Sequence, residues 1–313
     1  MNFYRIIDVE TGKQEGAILN NINGFDWTFD QKHAYISIRN SEIVKKQEPI
    51  RTYLWTVGTD QNTAEFIVAP DDAKDVAGLW DTDEKSEQNY TFLSQGDFYS
   101  NTLKMRKVGT NDELKEIYSS KKFRAFPSLH KGKLYFYTND NAPNFKLMVT
   151  DADKPEYKNW NVFIPEKETM LEGITITSDY ILVQDKKDVM SRIFAYDFSG
   201  KQLKQIELPE IGNVSSMRYH KESNTVFVNL ATFNAPTKVY KLNGKTLEWE
   251  FFYQDISPLD TKNIESKIVF FTSRDNKRVP MFIHYKKGTK LDGNNPAMLH
   301  GYGGFNIGIE PHY

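Results

Sequence analysis

Apolar residues in this chain fall in short runs, many of them alternating with polar ones. Turns rich in Asn, Asp, Gly and Lys separate them. Long helical periodicity is scarce, and the pattern is that of an all-β domain. The runs come in sets of three. They occupy residues 33–38, 52–57 and 65–69, then 90–93, 103–108 and 114–118, then 133–137, 145–149 and 160–164. Two more sets follow, at 180–183, 192–197 and 203–208, and at 225–230, 238–242 and 249–253. A weaker apolar run precedes the set, as at 24–29, 125–129 and 215–219, and supplies a fourth strand. The first run recurs every ~45–55 residues, the period of a four-stranded propeller blade. A β-sandwich also gives many short strands but rarely repeats at one long period. The expectation is therefore a mainly β chain of about five blades. Residues 3–8, with the turn Glu10-Thr-Gly-Lys13, read as the third strand of an earlier blade whose first half is absent. An incomplete ring leaves sheet edges open.

The repeat breaks near Ser257-Pro-Leu-Asp-Thr-Lys262. Beyond it, residues 267–272 and 279–285 flank the turn Ser273-Arg-Asp-Asn-Lys277 and predict a hairpin. A basic loop over 286–293 leads to the apolar run Pro296-Ala-Met-Leu299, which predicts a strand. That run enters a turn built from Gly301, Gly303 and Gly304, with Tyr302 among them. Glycine there lets the backbone take positive φ and approach a ligand closely. The pattern is of the HGGG type, the loop after an α/β-hydrolase strand that donates to an oxyanion. The expected domains are a propeller over 1–257 and the opening of an α/β-hydrolase domain over 258–313. In that fold the nucleophilic Ser, an acid and a His come after this loop. No serine here stands in G-x-S-x-G, and Ser215-Ser216 reads as a blade turn.

Composition narrows the function classes. Over 313 residues the formal net charge is −2, without the basic surplus of a nucleic-acid binder. No apolar run nears the roughly 20 residues a membrane span needs, and the N-terminus lacks the basic-then-apolar order of a signal peptide. The absence of cysteine excludes disulfides, thiolate catalysis and Cys-ligated zinc. His33, His130, His220, His284 and His312 are scattered without metal-ligand spacing, so neither metal nor cofactor is expected. His300 precedes the place of the hydrolase base in chain order and reads as a packing residue. The acidic stretch over 81–87 lacks the Gly and terminal Glu of an EF-hand loop and reads as solvated, as does the basic loop at 286–290.

Residues 273–306, ending in His300-Gly-Tyr-Gly-Gly-Phe-Asn306, closely resemble the prolyl oligopeptidases, a family of serine peptidases. Residues 142–147, 158–166 and 232–240 are similar to that family's late blades, so the resemblance covers nearly the whole chain. It implies a seven-bladed propeller that caps an α/β-hydrolase domain and screens out large folded substrates. It also implies a cytosolic or periplasmic enzyme, monomeric and free of cofactor, that cuts short peptides after proline. Tyr302 matches a tyrosine implicated in oxyanion stabilisation, and Phe305 matches an aromatic of the substrate pocket. His300 stands where many relatives have Tyr. The family's Arg- and Cys-bearing substrate loop corresponds to Leu93-Ser-Gln-Gly-Asp-Phe98, which has neither residue, so nothing carries over from it. On this reading the chain is a piece lacking the N-terminal segment, the first one or two blades and the Ser, Asp and His, and is inactive alone. Two alternatives remain: a non-catalytic propeller scaffold binding peptides or proteins, and an oligopeptidase B-like enzyme preferring basic residues.

Overall fold

The computed structural model describes residues 3–84, 87–110, 112–258, 261–304 and 308–313. They form two compact units, residues 1–166 and 167–313. The first opens with an antiparallel pair, β1 (Phe3–Ile7) and β2 (Gln14–Asn20). Three four-stranded antiparallel meanders follow. Blade 1 is β3 (Ile22–Trp27), β4 (His33–Ile38), β5 (Arg51–Thr56) and β6 (Glu65–Val68), with a short helix α1 (Ser41–Lys46) between β4 and β5. Blade 2 is β7 (Val76–Asp81), β8 (Tyr90–Gly96), β9 (Asn101–Lys107) and β10 (Lys115–Ser119). Blade 3 is β11 (Ala125–His130), β12 (Lys133–Thr138), β13 (Lys146–Asp151) and β14 (Asn161–Ile164).

The second unit holds two more meanders and a hairpin. Blade 4 is β15 (Met170–Ile176), β16 (Ile181–Lys187), β17 (Met190–Tyr196) and β18 (Gln202–Ile206). Blade 5 is β19 (Asn213–His220), β20 (Thr225–Ala231), β21 (Lys238–Asn243) and β22 (Trp249–Gln254). The hairpin is β23 (Ile264–Thr272) with β24 (Arg278–Lys286).

Burial explains the strand pattern. A strand covered on both faces needs a continuous apolar run, whereas a strand with one wet face alternates. The second strands of blades 1 to 4 are of the first kind, and the first five residues of β16 are all buried, whereas β20 of blade 5 alternates between buried and half-buried positions. Fourth strands are mostly exposed, as in β18 and β22. Facing blades share cores. Phe92 and Leu103 of blade 2 pack with Leu134, Phe136 and Trp160 of blade 3, and Phe136 stacks on Trp160 at 3.6 Å. Tyr35 of blade 1 meets Leu79 and Leu93 of blade 2. In the second unit Leu182 and Ile193 pack with Val226, Val228 and Leu242. Each such side chain, fully buried, stabilises the fold by about 1.5–3 kcal/mol.

Every run of the five triplets falls on a strand, and the three preceding runs fall on β3, β11 and β19. The early remnant is the β1–β2 pair. Strand β2 and the helix α1 were not foreseen, and the fourth strands expected before the second and fourth sets are β7 and β15. One expectation is corrected: residues 296–299 form no strand. A strand needs a ladder partner, and among the described residues this run has none. Met298 and Leu299 stand 93% and 87% exposed.

Candidate functional site

The glycine turn hangs on the β23–β24 hairpin. Nine residue pairs register the hairpin, from Ile264 opposite Lys286 to Thr272 opposite Arg278. Blade 5 holds it through Phe233, whose ring lies 4.5 Å from Phe282 and 4.3 Å from the imidazole of His284. Ser266 Oγ lies 2.8 Å from His284 Nδ1, and partial burial lowers the pKa of that imidazole. From the hairpin the chain runs through irregular backbone to the turn. Gly303 sits at φ +71°, the left-handed region where a Cβ would be strained. Gly304 packs beside the Tyr302 ring, where a Cβ would lie 3.4 Å from it, an ordinary van der Waals contact. Tyr302 is 57% exposed, and its hydroxyl makes no hydrogen bond among the described residues. The turn therefore presents a phenol as a free donor. His300 is exposed beside it, and Phe305 lies outside the described residues. Among the described residues no three His, Cys, Asp or Glu gather as a metal site.

The closing residues dock on blade 4. Lys186 Nζ pairs with Glu172 Oε1 at 2.5 Å and also with Glu310. Gln184 Nε2 donates to Glu172 at 3.1 Å and to the Val214 carbonyl at 2.8 Å. Pro311 is buried, and the hydroxyls of Tyr313 and Ser257 are hydrogen-bonded. One lysine thus bridges two carboxylates, and removing it would leave both partly buried and uncompensated.

A second concentration of chemistry lies in the first unit, where the sequence reading carried nothing over. The turn between β8 and β9 is tight: a Cβ at Gly96 would lie 2.1 Å from the Ser100 carbonyl oxygen. Asp97 Oδ1 accepts from the N–H groups of Tyr99 and Ser100, both at 2.8 Å, and from the Ser100 hydroxyl at 2.9 Å. The turn projects Phe98 and Tyr99, both about half exposed. Opposite, the backbone at 124–125 is fixed. Asn101 exchanges two side-chain hydrogen bonds with Ala125, at 2.8 and 2.9 Å. Arg124 N–H donates to Asn139 Oδ1 at 2.7 Å, and its carbonyl accepts from the Thr138 hydroxyl at 2.7 Å. The Arg124 guanidinium sits over Phe98 at 5.4 Å and over Phe126 at 5.6 Å. Its Nε is buried and has no hydrogen-bond partner among the described residues. The available signal was Ser120-Lys-Lys-Phe-Arg-Ala-Phe126, a basic and aromatic interleaving between two blades.

Comparison with known proteins follows the same outline. A sequence profile of the prolyl oligopeptidase N-terminal beta-propeller domain matches residues 2–255. A prolyl endopeptidase of Elizabethkingia meningoseptica is 29% identical over 315 residues, covering 98% of this chain and 44% of the relative. One from Dictyostelium discoideum is 35% identical over 191 residues, 56% of this chain and 25% of the relative. The chain thus spans under half the length of these relatives. A solved prolyl endopeptidase structure superposes with a TM-score of 0.86 at 22% identity, over 99% of this chain and 47% of that one. Prolyl oligopeptidase B of Galerina marginata, bound to a 35mer hydrolysis and macrocyclization substrate, gives 0.80 at 22%, over 96% and 44%. With the blades, their register and the profile in agreement, the chain belongs to the prolyl oligopeptidase family, in the part that carries its N-terminal β-propeller.

Proposed function

We propose that these residues supply the propeller, over 1–257, and the opening of the hydrolase domain, over 258–313, of a serine-type prolyl oligopeptidase. The enzyme would cut short peptides after proline, and a seven-bladed propeller would act as its size filter. The observation that carries this reading is the run 273–306. It continues past the end of the propeller profile at residue 255 into a hairpin and an HGYGG turn. The profile's end also supports the boundary near 257. Tyr302 would donate its hydroxyl to the oxyanion that forms when a serine attacks the peptide carbonyl. Only a donor that binds the transition state better than the substrate accelerates the reaction, and one such donor is worth about 3–4 kcal/mol of barrier. Phe305, by its position in the same run, would line the substrate pocket. The enzyme would be a monomer without cofactor, in the cytoplasm or periplasm. Among the described residues no helix is long and apolar enough to cross a membrane.

The test compares two proteins on a chromogenic proline-ended peptide. Residues 1–313 alone, which hold no G-x-S-x-G, are expected to give no turnover. A longer form carrying that elbow is expected to turn over, and Tyr302→Phe in it to lower kcat roughly 10²–10³-fold with little change in KM. Turnover by residues 1–313 that a serine-directed phosphonate blocks would contradict the reading. Binding without turnover by the longer form would favour the non-catalytic scaffold, a reading that the exposed aromatic cluster around Arg124 also supports.

A further inference from the structure

We propose that Arg124 anchors a carboxylate carried by a peptide, with Phe98, Tyr99 and Phe126 as the walls against which that peptide lies. Three observations converge. The first is an incomplete hydrogen-bond set: buried polar atoms almost always find a partner, yet the Nε–H of Arg124 has none among the described residues. The second is charge. Arg124 forms no ion pair with a described acid, and Lys121 and Lys122, exposed, precede it in the same loop. In the facing turn, Asp97 has Oδ1 committed to three donors of its own loop. The third is geometry. The rings of Phe98 and Phe126 both lie within 5.6 Å of the guanidinium carbon. That arrangement favours recognition at its edge, where the fork of N–H groups matches the two oxygens of a carboxylate.

The site is built rather than incidental. Both the 97–100 turn and the 124–125 backbone are held by side-chain hydrogen bonds, so little ordering is left for binding to meet. Half-exposed aromatic rings flanking a cation suit a peptide better than a bare anion. Flat apolar walls take prolyl and aromatic side chains, and the fork takes the charge. Phe126 continues the wall inward, stacked on Tyr137 at 6.0 Å, which in turn stacks on Phe145 at 4.4 Å. The inference does not depend on the peptidase reading, because it concerns binding by residues within blades 2 and 3. Its test needs no turnover.

Fluorescence anisotropy on residues 1–313 would use three labelled tetrapeptides of one proline- and phenylalanine-containing sequence. One ends in a free carboxylate, one in an amide, and one is an amide carrying a glutamate. The expected result is at least tenfold tighter binding of either acid-bearing peptide than of the plain amide. Arg124→Gln should abolish that difference, and Arg124→Lys should keep only part of it. The two acid-bearing probes separate a chain-terminal carboxylate from a side-chain one. Equal binding of acid and amide peptides by the unmodified chain, or discrimination surviving in Arg124→Gln, overturns the proposal. Competition by sodium acetate as effective, mole for mole, as by the peptide overturns its peptide half. Should Arg124→Gln fail to fold, the ¹⁵Nε–¹Hε resonance of Arg124 in the unmodified chain decides. It should shift on adding the acid peptide and stay in place with the amide.

Discussion

Asp97 and Asp30 each hold a blade turn through the same device, a carboxylate that accepts several donors at once. At Asp97 the Tyr99 N–H and then the Ser100 hydroxyl pull the carboxyl below its ordinary value, against a smaller opposing effect of burial. At Asp30 burial acts to raise the value. The Thr28 hydroxyl, the Lys32 N–H and His33 together outweigh it and hold the group well below the usual range. A carboxyl lower in the folded than in the unfolded chain stabilises the fold above the unfolded pKa of about 4. That contribution drains away as pH falls through the folded value. Both groups are largely exposed, so solvent screening keeps the charge effect small. Asp97→Asn and Asp30→Asn are therefore expected to lower stability at pH 7 by at most about 1 kcal/mol each. The gap from the unmodified chain should narrow as pH falls below the unfolded value of about 4. Urea midpoints at pH 7 and pH 2.5 check this, and a gap that widens on acidification would reverse the sign. Legibility at this scale followed chain locality. Tyr302 could be read because its glycines are its neighbours in sequence. Arg124 could not, because its meaning comes from Phe98, one blade earlier, and from an orphan Nε–H that no residue pattern records.

Strands sandwiched in the interior were the easiest elements to read, since two covered faces write a continuous apolar run such as Ile181-Leu-Val183. First strands were harder. In β15, Glu172 and Gly173 interrupt the run at a register shift between Leu171 and Gly173. That glutamate serves Lys186 and Gln184 rather than the core. In β7, Asp81 likewise accepts the Thr91 hydroxyl at 2.7 Å and the Phe29 N–H at 2.9 Å. Helix α1 escaped because six residues are too few to show a period. Its marks in sequence are the cap, Asn40 Oδ1 accepting from the N–H groups of Glu42 and Ile43, and the charge order from Glu42 to Lys45 and Lys46. The β16–β17 hairpin reads in sequence as an ordinary turn, yet its two loop residues, Asp188 and Val189, both stand in the left-handed region at φ +50° and +63°. A β-branched side chain there is strained by roughly 1–2 kcal/mol, whereas Asp-Gly is a preferred pair for such a turn. Val189→Gly should stabilise the protein by about 1 kcal/mol, the relief being partly offset by the freedom glycine gains when unfolded. A denaturant midpoint that falls would show that the Val189 side chain contributes more in contacts than its backbone loses in strain.

Across the whole chain, every run read as a strand through residue 286 falls on one, and the run at 296–299 does not. The blades close their own hydrogen-bond ladders, so what their sequence specifies, these residues can build. The run Pro296-Ala-Met-Leu299 has the composition of a buried strand without a described neighbour to bury it. In the proposed enzyme it would be a hydrolase-sheet strand, paired on its edges and covered on its faces. In residues 1–313 its apolar side chains face solvent, and an unpaired apolar segment of this kind recruits other chains. One substitution should therefore act with opposite sign in the two settings. In residues 1–313, Met298→Lys with Leu299→Lys is expected to raise the monomer fraction measured by size-exclusion chromatography with light scattering, leaving the thermal midpoint nearly unchanged. In a longer form carrying the rest of the hydrolase domain, the same pair is expected to destabilise. Each change would forfeit ~1.5–3 kcal/mol of burial and strand a charge in the sheet. If the substitution proves neutral in the longer form, residues 296–299 are not a buried hydrolase strand. If it leaves self-association of residues 1–313 unchanged, the exposed surface that matters lies elsewhere on the blades.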